Sequence, residues 1–327
     1  MEACVYLFAC LPLYLHMARI LVTGVSGLLG INLAVEAMRE HEVIGVDRGT
    51  LRSAPFRIVH ADLTPSNVID SLIDSTRPDW LINCAALASL EKCEEDPVQA
   101  RNLNTDLPGE LAVACAKRNI RFVHISTDAV FDGTREGFYT EEDATSPPGV
   151  YSETKLNGER VVRESNPQAV IARVNFYGWS LGGRRSLAEF FINGLSEQKR
   201  VNGFTDVVFC PMLVNHTARL LLEMLQKQLS GLYHVVGAQP MSKYQFGVEV
   251  ARSFGLDETL ISPQSVERSN LIARRSHNLW LSTHKLSTEL GQEIPIFSTG
   301  LAEFYTQFKQ GYPQKIRSYP QDPRPPG

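Results

Sequence analysis

The sequence predicts a doubly wound parallel α/β sheet with a smaller lobe behind it, and three observations carry that prediction. From Arg19 to Val174, β-rich runs alternate with helical runs, the pattern of a parallel sheet covered by helices on both faces. The first of these runs ends in glycines spaced three apart, at Gly24, Gly27 and Gly30. After Val174 the alternation stops, and the chain becomes Gly- and Arg-rich from Trp179 to Arg185.

Composition excludes several classes. The 327 residues are 43% hydrophobic and 21% charged, ordinary for a globular protein with a sizeable core. A net charge of −4 leaves no basic footprint for nucleic acid. No apolar run approaches the roughly 20 residues that span a membrane, so no membrane partner is expected. The six cysteines form no C-x-x-C pair and no zinc-like spacing. No metal is expected, and the thiols read as reduced and cytoplasmic.

The elements follow in order. Arg19–Thr23 is the first strand. Its glycine turn, with Ser26, Leu28 and Leu29 between the glycines, allows a tight bend and close backbone approach to a phosphate. Residues Ile31 to His41 read as an amphipathic helix whose free N–H groups would face a pyrophosphate. The pattern therefore points to a dinucleotide. Val43–Val46 is the second strand, and it ends at Asp47-Arg48. A carboxylate there suits the ribose of NAD, an arginine the 2′-phosphate of NADP, and the cofactor is left as NADP or NAD. Ile58–Leu63 reads as a strand ending in Asp62-Leu63, with Asp62 placed to meet adenine. Trp80–Asn83 is the fourth strand, and the small Ala85 and Ala86 after it leave space for a cofactor. Glu91, Glu94, Glu95 and Asp96 read as a solvated helix face.

Asn102 to Arg118 reads as one long helix with Pro108 in its first part. Arg121–Ile125 is the fifth strand, with Ser126 and Thr127 at its C-terminal end, where open α/β sheets hold ligands. A loop then leads to a helix from Tyr151 to about Glu164. Residues four apart share a helix face, so Lys155 should lie near Tyr151. A phenol titrates near 10, and an ammonium beside it would lower that value and make a proton donor for neutral pH. Ala169–Val174 is the sixth strand.

Residues 18–175 thus form the dinucleotide domain and 176–315 a substrate lobe, with a strand near 231–236 expected to return to the sheet. Arg184, Arg185, Arg274 and Arg275 are candidates for holding a diphosphate. Residues 1–16 read as an extension preceding a native start at Met17, since Glu2 stands where a signal peptide carries Lys or Arg. Residues 316–327 are Pro-rich and read as a disordered tail.

The motifs Thr23-Gly24-x-x-Gly27-x-x-Gly30, Thr127 and Tyr151-x-x-x-Lys155, in that order, resemble the extended short-chain dehydrogenase/reductase family. The stretches Ser126–Gly133, Tyr151–Glu159 and Ala273–Asn278 are similar to its dTDP-4-dehydrorhamnose reductase branch. The resemblance covers about Arg19 to Phe308. It implies a Rossmann domain, an NAD(P) cofactor and a nucleotide-sugar substrate. It puts Gly27, Leu28 and Leu29 at the pyrophosphate, Asp62 and Leu63 at the adenine, and Ala85 and Ala86 along the cofactor. Asn104 falls in the helix under the site and joins the cofactor-binding candidates. Tyr151 matches the proton donor, Lys155 the residue that holds the nicotinamide ribose, and Thr127 the residue that bonds a 4-keto oxygen. Ser126, Arg184 and Arg275 join Thr127 as substrate candidates. The chain departs from the branch at Ala129, at Val174-Asn-Phe-Tyr-Gly178, which lacks a Trp, and at Phe209–Leu213. Reduction of a 4-keto-6-deoxy nucleotide sugar is the expected activity. An epimerase or dehydratase of the same family is one alternative. Another is a non-catalytic NADP-binding subunit like the methionine adenosyltransferase beta subunit. The sequence allows a homodimer without requiring one.

Overall fold

The computed structural model describes residues 17–49, 51–269, 273 and 275–320. The expected extension up to residue 16, Arg274 and the last seven residues of the expected tail lie outside the described residues.

Seven parallel strands form the central sheet. They are β1 (Arg19–Thr23), β2 (Glu42–Asp47), β3 (Arg57–His60), β4 (Trp80–Asn83), β5 (Arg121–Thr127), β6 (Val170–Val174) and the later Gly231–Val235, in the order Gly231–Val235, β6, β5, β4, β1, β2, β3. Side chains alternate across such a sheet. Ile20 and Val22 accordingly enter one apolar core, and Leu21 enters the other. The strand order reverses between β1 and β4, so the carboxyl ends of β1, β4 and β5 open onto a crevice where doubly wound sheets bind ligands.

The helices of the sheet half are α1 (Leu28–Ala37), α2 (Ser66–Thr76), α3 (Leu90–Glu95), α4 (Pro97–Arg101), α5 (Leu107–Lys117) and α6 (Val150–Ser165). Helix α1 starts three residues before the predicted Ile31 and ends at Ala37, because it begins inside the glycine turn with Gly27 as its N-cap. It is buried from Leu29 to Ala37 rather than amphipathic. The later helix α8 (Val214–Gln226) packs over it, and Asn215 donates to the buried Glu36 carboxylate at 2.9 Å. Strand β3 stops at His60, leaving Asp62 and Leu63 in the following loop.

The helix expected from Asn102 to Arg118 is interrupted. Residues Asn102–Asp106 form a π-helical turn, closed by the Leu107 N–H on the Asn102 carbonyl. Pro108 has no N–H to offer the carbonyl four residues back, so the α ladder is already open there. The Asn104 carbonyl instead lies against Gly158 of α6, where a Cβ would come within 2.2 Å.

The second half adds α7 (Leu187–Ser196) and α8, with β7 (Phe176–Tyr177), β8 (Val201–Phe204), β9 (Val208–Phe209), β10 (Met212–Leu213) and β11, the strand Gly231–Val235 beside β6. Then follow β12 (Met241–Ser242), α9 (Lys243–Ser253), β13 (Ile261–Gln264), β14 (Asn278–Leu279), α10 (His284–Leu290), α11 (Phe297–Lys309) and α12 (Tyr312–Arg317). Of the tail expected to be disordered from 316, the described residues, 316–320, are ordered. Ile316 is fully buried, Arg317 pairs with Glu189 at 2.9 Å, and the Pro320 carbonyl accepts from the Arg52 N–H at 2.8 Å. Apolar and charged anchors outweigh the Pro-rich composition up to that point. No helix among the described residues is long and apolar enough to cross a membrane.

Candidate active site

A groove runs along the carboxyl ends of β1, β2, β4 and β5. One end, about 720 Å³, is lined by Gly24, Ser26, Gly27, Asp47, Arg48, Asp62, Leu63, Ala85 and Ala86. A larger cleft of about 2100 Å³ shares Gly27, Arg48, Ala86 and Arg185 with it, and adds Leu28, Leu29, Gly30, Ser126, Thr127, Tyr151, Lys155, Lys243 and Arg275. Most residues named from the sequence are therefore on one continuous surface.

The glycine turn is shaped by contact. Gly24 has φ +61, and a Cβ there would come within 2.8 Å of the Ala85 backbone. At Gly30 a Cβ would meet the Gly24 carbonyl at 2.4 Å. The turn is closed by the Gly27 N–H on the Gly24 carbonyl at 2.8 Å. The bare backbone and the start of α1 leave a cradle that fits a pyrophosphate. At the β2 end, Asp47 is buried and accepts from the Gly49 and Leu51 N–H groups at 3.0 and 2.9 Å. Its carboxylate thus shapes the loop as well as lining the groove. Arg48 is exposed at the rim. Thr64 donates twice to Asp62 and holds its carboxyl below the usual range, with Arg48 adding to the effect.

The chemistry-bearing residues cluster at the end of β5. Thr127 donates to Asp128 at 3.2 Å, and its hydroxyl lies beside the Tyr151 phenol. Burial raises the Asp128 carboxyl to about 6, against hydrogen bonds from Asn175 and Thr127 and the charge of Lys243. Asn175, in the segment that lacks the branch's Trp, donates to the other Asp128 oxygen. Trp179 does not fill that gap, because it is buried and stacked on Phe304 at 4.1 Å.

The expected lowering of Tyr151 by Lys155 is not what the structure shows. Burial raises the Tyr151 phenol to about 12, and the Thr127 hydroxyl opposes this only in part. The Lys155 side chain turns to the Ile125 carbonyl at 2.5 Å and to the ring of His124 at 3.5 Å. It is 1% exposed, and burial lowers its ammonium to about 8. His124 is held well below its ordinary value, first by burial and then by Lys155, so it meets the ammonium as a neutral ring.

Three other candidates do something different from their expected roles. Asn104 is fully buried and does not line the cleft. Its amide clamps the Leu87 backbone in both directions, at 2.9 and 3.1 Å, and reaches Thr154 at 3.2 Å. It fixes the loop after β4 rather than touching a ligand. The Ser126 hydroxyl donates to Glu159, itself paired with Arg173 inside the core. Arg184 is exposed and outside the cleft lining, whereas Arg185 reaches the Ser26 carbonyl at 3.4 Å. Arg275 does line the cleft, with its guanidinium bound by Glu91. The acidic helix face is partly structural as well, since Glu94 accepts from the Val150 N–H at the start of α6.

Sequence reasoning missed Lys243, Asn175 and His124. Lys243 begins α9 and lines both the main cleft and a smaller space of about 440 Å³ beyond Tyr151. Burial lowers its ammonium, Arg275 pushes the same way, and Asp128 opposes. No local motif marks these positions; only the fold brings Lys243 to Tyr151, Asn175 to Asp128 and His124 to Lys155. Among the described residues no three His, Cys, Asp or Glu side chains gather for a metal.

A doubly wound sheet with a phosphate-shaped glycine turn and a Thr-Tyr-Lys cluster in one groove defines an NAD(P)-dependent oxidoreductase. The chain belongs to the RmlD substrate binding domain family, whose model matches residues 18–310. It is 33% identical to a probable low-salt glycan biosynthesis reductase, Agl14, of Haloferax volcanii, over 88% of this chain and 97% of that one. It is 31% identical to methionine adenosyltransferase 2 subunit beta of Mus musculus, covering 87% of this chain and 86% of that one. A dTDP-4-dehydrorhamnose reductase from Clostridium acetobutylicum matches in structure with a TM-score of 0.77 at 26% identity, over 89% of this chain and 99% of that one.

Proposed function

We propose that this protein reduces the 4-keto group of a 4-keto-6-deoxy nucleotide sugar with NADH or NADPH. The observation that carries the reading is that Thr127, Tyr151 and Lys155 line the same cleft as the glycine turn Gly27–Gly30. The dinucleotide supplies the hydride when bound. The glycine turn and Arg185 would hold its pyrophosphate, and Ala85 and Ala86 would leave room along it. Lys155 would bond the nicotinamide ribose. Thr127 would turn its one hydroxyl proton from Asp128 to the keto oxygen and so fix that oxygen's position. Tyr151 gives that oxygen its proton as the carbon accepts the hydride, so the phenol becomes a phenolate and the ketone an alcohol. A phenol raised to about 12 stays fully protonated at neutral pH, the form this step consumes. Lys243 and Arg275 line the cleft beside Tyr151 and would meet the substrate's diphosphate there. The names of the glycan biosynthesis and dehydrorhamnose reductase relatives support the substrate class. A cytoplasmic setting belongs to the same reading, in keeping with free thiols at Cys84, Cys93, Cys115 and Cys210.

The test is turnover with NADH and NADPH against a panel of 4-keto-6-deoxy nucleotide sugars. Oxidation of one dinucleotide with one sugar supports the reading and names the substrate. The similarity to methionine adenosyltransferase 2 subunit beta favours a second reading, a regulatory subunit. Tight dinucleotide binding without turnover on any sugar, together with co-purification of a larger enzyme, would favour that one.

A further inference from the structure

The last ordered helix, α12, has no part in the chemistry above, yet it touches both walls of the glycine-turn cradle. On one side Arg317 donates to the Glu189 carboxylate at 2.9 Å and to the Ser180 carbonyl at 3.3 Å. Glu189 is fully buried. The same carboxylate accepts from the Ser180 N–H and hydroxyl at 2.9 and 2.6 Å, and from the Arg185 N–H at 3.0 Å. One buried carboxylate therefore folds the loop that presents Arg185, and Arg317 supplies the charge that a buried carboxylate requires. Gly183 in this loop lies against the Arg317 guanidinium, which a Cβ there would approach to 3.1 Å. On the other side the Tyr312 hydroxyl donates to Asn32 of α1 at 2.8 Å. The Asn32 amide donates to the Leu28 carbonyl at 2.7 Å, in the first turn of α1, and to the Trp179 carbonyl at 2.9 Å.

We propose that α12 is a brace for the dinucleotide phosphate site, in which Arg317, through Glu189, positions Arg185 over the glycine turn. This rests on the reading of the cleft as a dinucleotide site. The Arg185 guanidinium reaches the Ser26 carbonyl only at 3.4 Å, so that weak contact does little to hold the loop. The loop's register comes from Glu189. Arg317 is a positioning residue: it braces one wall from behind and is not among the residues that line the cleft, so its loss should act on dinucleotide affinity and not on the hydride step.

The test compares the full-length protein with Arg317→Ala, Arg317→Lys, Arg185→Ala and the double Ala variant. Dissociation constants for NADH and NADPH come from fluorescence titration, and amide exchange is followed at Arg185 and Ser186. Arg317→Ala is expected to weaken dinucleotide binding about tenfold, speed exchange at both amides, and leave kcat at saturating cofactor within about twofold. Arg317→Lys keeps a cation beside Glu189 and should recover part of the affinity even if the Ala variant folds poorly. The double variant should bind within about twofold of Arg185→Ala, because both changes remove the same contact. Unchanged affinity in Arg317→Ala and Arg317→Lys, or losses that multiply in the double variant, would overturn the brace and leave the functional reading standing. Failure of the unaltered protein to bind either dinucleotide would overturn both.

Discussion

Asp128→Asn probes the electrostatics of the site through the stability of the fold. Burial raises the Asp128 carboxyl from 3.8 to about 6, so the folded chain holds this proton more tightly than the unfolded chain does. The stability contributed by that proton is fully present below pH 3.8 and is lost as the pH rises through 6. At pH 8 the ionised carboxylate then costs roughly 3 kcal/mol relative to its protonated form, and at pH 5 about half as much. Asparagine does not ionise, so the variant removes the pH-dependent part of this cost. Re-pairing its amide with Asn175 and Thr127 adds a constant that is the same at both pH values. Denaturant unfolding of both proteins at pH 5 and pH 8 reads the difference. The variant's stability relative to the native protein should be greater at pH 8 than at pH 5 by roughly 1 kcal/mol or more. A relative stability independent of pH would refute the raised affinity of the buried Asp128 carboxyl for its proton.

Tyr151→Phe should lower turnover by about 10²–10⁴-fold, the usual worth of a positioned proton donor, while NADH and NADPH titrations change little. Gly24→Ala forces a Cβ into a left-handed backbone 2.8 Å from Ala85; thermal unfolding should show a loss of roughly 2–4 kcal/mol, and dinucleotide binding should fall with it. Lys243→Met keeps the stem and removes the charge. Steady-state kinetics should show KM for the nucleotide sugar rising about 10–100-fold with a smaller change in kcat, as expected for a lost charged hydrogen bond.

The parts of the molecule that sequence reveals are those set by local pattern. Strands β1, β2, β4 and β6 sit where apolar runs of four to six residues predict them, because a parallel strand buried on both faces reads as one continuous run. The glycine turn was legible because Gly24 and Gly30 meet neighbouring backbone that only glycine tolerates. The Tyr151 helix was legible from its four-residue spacing. What escaped depends on partners remote in the chain. Helical spacing gives the Tyr151 and Lys155 faces, but not that Lys155 turns to the Ile125 carbonyl thirty residues earlier. Arg184 and Arg185 are equal in the sequence, and only the Glu189 carboxylate settles which of them faces the cleft. The π turn at Asn104 follows from its fit to Leu87 and Gly158, and neither is visible from Pro108 alone. The order of Arg317 to Pro320 likewise comes from Glu189 and Arg52.

Hydride is expected to pass directly to the sugar carbon while Tyr151 protonates the oxygen. The most direct test is a reaction with the nicotinamide dinucleotide deuterated at its transferable position, with product analysed by mass spectrometry and NMR. The account predicts one deuterium at C4 of the sugar product, and loss of that product in Tyr151→Phe. Product lacking deuterium, or full labelling by Tyr151→Phe at the native rate, would contradict it.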